Sequence, residues 1–137
     1  MVQTGLFPGW DDLLIAPQTQ QGIYWNSQGT APNRAVTFEW YTSRYGNNAL
    51  YSHFLVSFYE NMPNVTTIDY LNMTDSGISS TVGIQNGKVS LFSQYSMNKA
   101  NLSAGTIISF NNTLSPAGSW FSGLPPGVTE IPGAIDY

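Results

Sequence analysis

His53 is the only histidine in this chain, so acid–base chemistry of the serine-hydrolase kind would have to run through it. It lies in a segment where apolar and polar residues alternate, and no G-x-S-x-G elbow supplies an exposed serine. A half-buried or surface structural histidine is the simpler reading. Glu39 and Glu60 offer the two carboxylates that glycoside hydrolysis uses. Both, however, occupy strand-like positions whose neighbours alternate normally, and Glu60 is next to a loop. No constellation meets the geometric requirements of catalysis even in outline. No catalytic residue is therefore expected, and the chain reads as a non-enzyme.

Asp11-Asp12 is the only adjacent acidic pair. The functional reading is a Ca²⁺ site, joined by Asp69 or Asp75, because hard cations take carboxylate oxygens. The plainer reading is that one Asp caps a turn after a core Trp10 and the other is solvated. No D-x-D-x-D-G loop is present, which favours the plainer reading. Beyond that ion no cofactor is expected. Tyr24, Trp25, Tyr41, Tyr45, Tyr51 and Tyr59 invite a carbohydrate reading, since sugar faces stack on exposed rings; core and cross-strand packing explains most of them equally well. Tyr45 alone falls in an expected loop, beside amides at Asn47 and Asn48 that suit hydroxyl groups. These three are the candidate ligand-binding residues. Sequons for N-glycosylation begin at Asn64, Asn72, Asn101 and Asn111. In a chain rich in Asn, Ser and Thr their number is weak evidence. Their placement at expected strand ends and loops is better evidence.

The elements that must position these residues are strands. A length of 137 residues suits one domain able to bury a core without staples. Charged residues make up only 9% of the chain, against roughly 25% in typical soluble proteins. Aromatics at 14% supply the burial that disordered chains lack. The net charge is −4 and the four basic residues form no cluster, so nucleic acid is not an expected partner. No run of about 20 apolar residues is present, so membrane insertion is not expected either. Cysteine is absent, which excludes disulfides and thiol chemistry. After Met1, Val2-Gln3-Thr4-Gly5 has no apolar leader core, and the expectation is a fragment of a larger protein.

Period-two alternation is frequent, and helical periodicity is hard to find. Residues 34–42 place Val36, Phe38 and Trp40 on one face; residues 51–60 do the same with Phe54, Val56 and Phe58. Further strands are expected over 13–16, 22–26, 65–71, 82–85, 88–92 and 106–110. Residues 43–48 read as a longer hairpin loop, and Asn86-Gly87 as a type I′ turn. About seven or eight short strands imply an all-β antiparallel sandwich, jelly-roll-like or Ig-like. Residues 1–114 form that domain. Residues 115–137, broken by Ser115-Pro116-Ala117-Gly118 and Leu124-Pro125-Pro126-Gly127, form an irregular extended tail. Its apolar residues should dock on this or a neighbouring subunit.

Five segments, in order from about Phe7 to Phe110, carry a family resemblance. They are Pro8-Gly9-Trp10-Asp11-Asp12-Leu13, Gly29-Thr30-Ala31-Pro32-Asn33-Arg34, Val36-Thr37-Phe38-Glu39-Trp40, Phe54-Leu55-Val56-Ser57-Phe58-Tyr59-Glu60 and Ser80-Thr81-Val82-Gly83-Ile84-Gln85-Asn86. The chain resembles a secreted or cell-surface β-sandwich module loosely of the nidogen extracellular type. Members begin with additional strands before the Trp-Asp-Asp element, which this chain lacks. The resemblance implies a non-catalytic extracellular adhesion or ligand-binding module of a larger surface protein, with a carbohydrate or surface-protein ligand. A sandwich short of its first strands has an open edge, and strand donation between copies would make a filament or coat subunit, a homo-oligomer or polymer. A glycan-active hydrolase is the third and least supported reading.

Overall fold

Alternation of apolar and polar side chains builds two antiparallel sheets packed as a sandwich. The computed structural model describes residues 4–86, 91–111 and 128–132. Among these the strands are β1 (Thr4–Trp10), β2 (Leu13–Leu14), β3 (Gly22–Gln28), β4 (Ala35–Arg44) and β5 (Asn47–Tyr59). They continue with β6 (Met62–Met73), β7 (Thr81–Asn86), β8 (Leu91–Met97), β9 (Thr106–Asn111) and β10 (Val128–Pro132). The small sheet runs β1-β7-β8. The large sheet runs β10-β9-β6-β5-β4, with β2 and β3 taking successive stretches of the far edge of β4.

The core lies where the small sheet covers the large one. Phe54 and Val56 of β5, Ile68 and Tyr70 of β6, and Ile108 and Phe110 of β9 alternate inward and are all but fully buried. Val82 of β7 and Leu102 close the layer from the other side. Side chains of this size are worth roughly 1.5–3 kcal/mol each when fully buried. The Tyr70 hydroxyl donates to the Pro8 carbonyl at 2.5 Å, tying β6 to β1 across the sandwich. Burial, with the nearby Tyr95, pushes the Tyr70 phenol well above its ordinary value, so it stays a neutral donor.

Where β2 gives way to β3, the Gln21 amide bridges the gap in the edge. Its oxygen accepts from the Ala16 backbone N–H at 2.9 Å, and its nitrogen donates to Ser43 Oγ at 2.7 Å.

Several expectations need correction. Trp10 is not a core residue: it is 66% exposed and packs its ring on Phe7 at 5.3 Å. Residues 43–48 are not a long loop. Arg44 pairs with Asn47 around a two-residue Tyr45-Gly46 turn, made possible by the positive φ of Gly46. Asn86 is a ladder residue opposite Leu91, and Gln85 faces Phe92 rather than Lys88. That register is incompatible with Asn86-Gly87 as the central pair of the turn, and the connection itself, residues 87–90, lies outside the described residues. Residues 4–10, outside the expected strands, form β1. Within residues 115–137, expected to be irregular, Val128–Pro132 pairs with β9; the other residues of that tail lie outside the described ones.

Candidate functional site

Residues directly opposite across an antiparallel ladder share a face. The β3–β4 register therefore puts Tyr24, Asn26 and Gln28 on the outer face of the large sheet, with Glu39, Thr37 and Ala35. The β4–β5 register adds Tyr51, His53, Leu55 and Ser57 to that face. The result is a polar and aromatic surface whose groups are tied in cross-strand pairs. His53 Nε2 donates to Glu39 Oε1 at 2.7 Å. Thr37 and Ser57 share a hydrogen bond at 2.8 Å, as do Tyr59 and Thr67. Asn72 Nδ2 donates to Tyr51 Oη at 3.1 Å. The His53 ring also lies 4.8 Å from that of Tyr41, which meets Tyr51 edge-on at 5.9 Å.

Tyr24 is set as a platform at the edge of this face. Its hydroxyl donates to the Gln20 carbonyl at 2.8 Å, holding the ring back along its own strand. The ring lies over Gly22, where a Cβ would meet it at 2.9 Å, so only glycine leaves room beneath. The side chain remains 48% exposed. Beside it a groove of about 230 Å³ is lined by Trp25, Asn26, Gln28, Thr37, Glu39, Leu55 and Ser57. Sequence reasoning named Tyr24 only as one aromatic among several and missed the amides. The available signal was the period-two run Tyr24, Asn26, Gln28 behind Gly22.

The expected site residues fall into separate places. Glu39 and His53 come together; Glu60 does not join them. It forms a two-pronged ion pair with Arg34, at 2.6 and 2.9 Å, which lowers its carboxyl to about 2, chiefly through those hydrogen bonds. Glu39 is the side-chain hydrogen-bond partner of His53. Asp11 and Asp12 sit at the crossing from β1 to β2. Asp11 accepts from the Asp12 N–H at 2.8 Å and from Ser79 Oγ at 2.5 Å, which ties the crossing to the start of β7. Asp75 pairs with Arg44 at 3.3 Å and accepts from the Gly77 N–H at 2.9 Å. Among the described residues, no group of three or more His, Asp or Glu is gathered to hold a metal ion.

Tyr45, Asn47 and Asn48 are exposed at the β4–β5 turn, and the Tyr45 N–H donates to the Asp12 carbonyl at 2.7 Å. The two candidate sites thus share one end of the molecule. Of the sequon asparagines, Asn64 and Asn101 are exposed, while Asn72 and Asn111 are half-buried in β6 and β9.

The inner face carries a second open surface. Ile23 and Trp25 stand opposite Trp40 and Phe38, on the core side of the sheet, yet they are 55% and 70% exposed. Phe58 is also exposed, packing edge-on against Phe38. The small sheet ends at β1 and does not reach them.

Residues 2–120 match the family model described as NIDO related, an interval that contains all five sequence elements and both sheets up to β9. The chain belongs to the nidogen-related family. No curated protein and no solved structure matches it. Membership in the nidogen-related family points to an extracellular module. Among the described residues, no helix is long and apolar enough to cross a membrane.

Proposed function

We propose that this nidogen-related domain is a non-catalytic adhesion or ligand-binding module of an extracellular surface protein, and that it binds through the outer face of its large sheet. The observation that carries the reading is the pairing on that face. Glu39–His53, Thr37–Ser57 and Tyr51–Asn72 hold one another in place and leave rings and amides presented to solvent. A surface fixed in advance loses little conformational freedom on binding, which is what recognition requires. The test is biolayer interferometry of the immobilised chain against extracellular glycans and proteins, with recovery of the ligand afterwards. Saturable, reversible binding of a chemically unchanged ligand is expected. Turnover of the ligand that disappears in His53→Ala or Glu39→Gln would overturn the reading.

A second reading, a subunit that self-assembles, is favoured by one observation: β1 is the end strand of the small sheet and lines a groove with Trp40, whose ladder partner Ile23 and next neighbour on that face Trp25 are exposed. A strand from a second copy added to β1 would extend the small sheet over those side chains. The described part of the tail, Val128–Pro132, is already paired with β9. Donation from the tail would have to displace that pairing. Light scattering separates the readings: a monomer across the accessible concentration range leaves the binding module, and a polymer lost on deletion of residues 115–137 supports the subunit.

A further inference from the structure

We infer that the groove beside Tyr24 is a subsite for a neutral polysaccharide, one sugar ring stacking on Tyr24 with its hydroxyls shared among Glu39, Asn26 and Gln28. The inference rests on the reading of the outer face as a binding surface and names its ligand class.

Three features select this chemistry. First, a pyranose has an apolar face of C–H groups, and the matching partner is an aromatic ring held flat and open on one side. Tyr24 is held that way by Gly22 beneath it and by its bond to the Gln20 carbonyl. Second, vicinal hydroxyls need clustered acceptors and donors. Glu39 lies directly opposite Tyr24 in the ladder, and one of its oxygens is taken by His53. The second oxygen can accept from the ligand, with the His53 contact fixing the carboxylate plane. Asn26 and Gln28 follow on the same face at strand spacing and supply both donors and acceptors. Third, the groove lacks a cation. Arg34 is engaged by Glu60, Arg44 by Asp75, and no lysine or arginine lines the groove. In a chain of net charge −4, an anionic glycan would be repelled by Glu39 without compensation. Apolar ligands are disfavoured by the same carboxylate and amides.

An open site that holds one ring binds weakly, on the order of millimolar per ring, and gains strength from repetition along a polymer. A polymer is therefore the proper probe. Native gels cast with hydroxyethylcellulose or galactomannan, both neutral, are compared with gels cast with alginate, which is anionic. The full chain should be retarded by at least one neutral polymer and not by alginate. Tyr24→Ala should weaken the retardation about tenfold or more, corresponding to about 1.4 kcal/mol or more. Tyr24→Phe, which keeps the ring, should retain most of it. Glu39→Gln should weaken it, and Ile23→Ala, on the opposite face and outside the groove, should leave it unchanged. Circular dichroism checks that each variant folds, and Glu39→Gln carries the test if Tyr24→Ala does not fold.

Retardation by alginate alone, retardation indifferent to Tyr24 and Glu39, or none by either neutral polymer overturns the inference. A parallel arm passes enzymatically deglycosylated matrix proteins over the immobilised chain. Capture there that depends on Tyr24, with neutral polymers silent, overturns the glycan assignment and leaves the binding reading standing. Silence in both arms overturns both.

Discussion

Trp40 and Trp25 point to the same side of the same sheet, and their surroundings could hardly differ more. Trp40 stacks on Phe54 at 5.6 Å with the rings nearly parallel, and packs against the buried cluster. Trp25, one strand further out, is 70% exposed. Burial falls off across the sheet in step. The inner positions of β5, β6 and β9 are buried, β4 is half-buried through most of its length, and β3 is exposed along nearly all of it. Width is the cause. At about 4.8 Å per strand, the three strands of the small sheet span roughly 10 Å between their outer axes, while β10 to β3 span roughly 24 Å. An apolar residue in a strand is buried only if the opposing layer reaches it. The same inward alternation therefore makes a core under β1-β7-β8 and an exposed apolar surface beyond it.

The contrast is sharpest in the cost of truncation. Phe54→Ala or Phe110→Ala should lose about 3–5 kcal/mol in a urea titration, whereas Trp25→Ala should change stability by no more than about 0.5 kcal/mol. Comparable losses at Trp25 and at the two phenylalanines would erase the distinction between the halves.

The link between the sheets gives a smaller effect. Tyr70→Phe removes the bond to the Pro8 carbonyl and should cost about 1 kcal/mol, with faster amide exchange in β1 and little change in β3. It also has a pH signature. Because the folded phenol titrates well above its unfolded value of about 10, its contribution is complete below pH 10 and is lost as pH rises beyond it. Alkaline unfolding should therefore be less steep in Tyr70→Phe than in the parent chain.

Smaller again is the effect at the exposed corner of β4 and β5. Arg34→Ala should return the Glu60 carboxyl from about 2 to its ordinary value near 4.3, read directly by NMR titration. A lowered carboxyl contributes stability above its unfolded value and loses it as pH falls towards 2. Solvent-exposed as it is, the pair should move the acid transition only slightly. An acid transition that shifts strongly would mean that this edge of the uncovered half is more rigid than its burial implies.

The strands that combine a buried and a polar face were legible in the sequence. Phe54 and Val56, Ile68, and Ile108 and Phe110 announce their alternation because the covered half enforces it. The misreadings fall where local chemistry competes with distant pairing. Asn47 and Asn48 have turn preferences, yet they begin β5; Pro125-Pro126-Gly127 reads as the end of regular structure, yet β10 starts at the next residue. Trp10, expected in the core, is exposed and lies against Phe7 of its own strand. The Glu39–His53 pair was hidden for a different reason. A register shift after Ser43–Tyr51 leaves three extra residues on β5, and without it Glu39 would face Ser52, on the opposite side of the sheet from His53. No local signal marks that bulge, so neither the pair nor the groove beside it could be assembled in advance.

Residue-resolved carbene footprinting of the chain over a dilution series tests most directly the claim that the inner face of the large sheet is uncovered beyond the reach of the small one. At the lowest concentration Ile23, Trp25 and Phe58 should be labelled heavily and Phe54, Ile68 and Phe110 hardly at all. Trp25 and Ile23 as protected as Phe54 in the monomer would contradict the account.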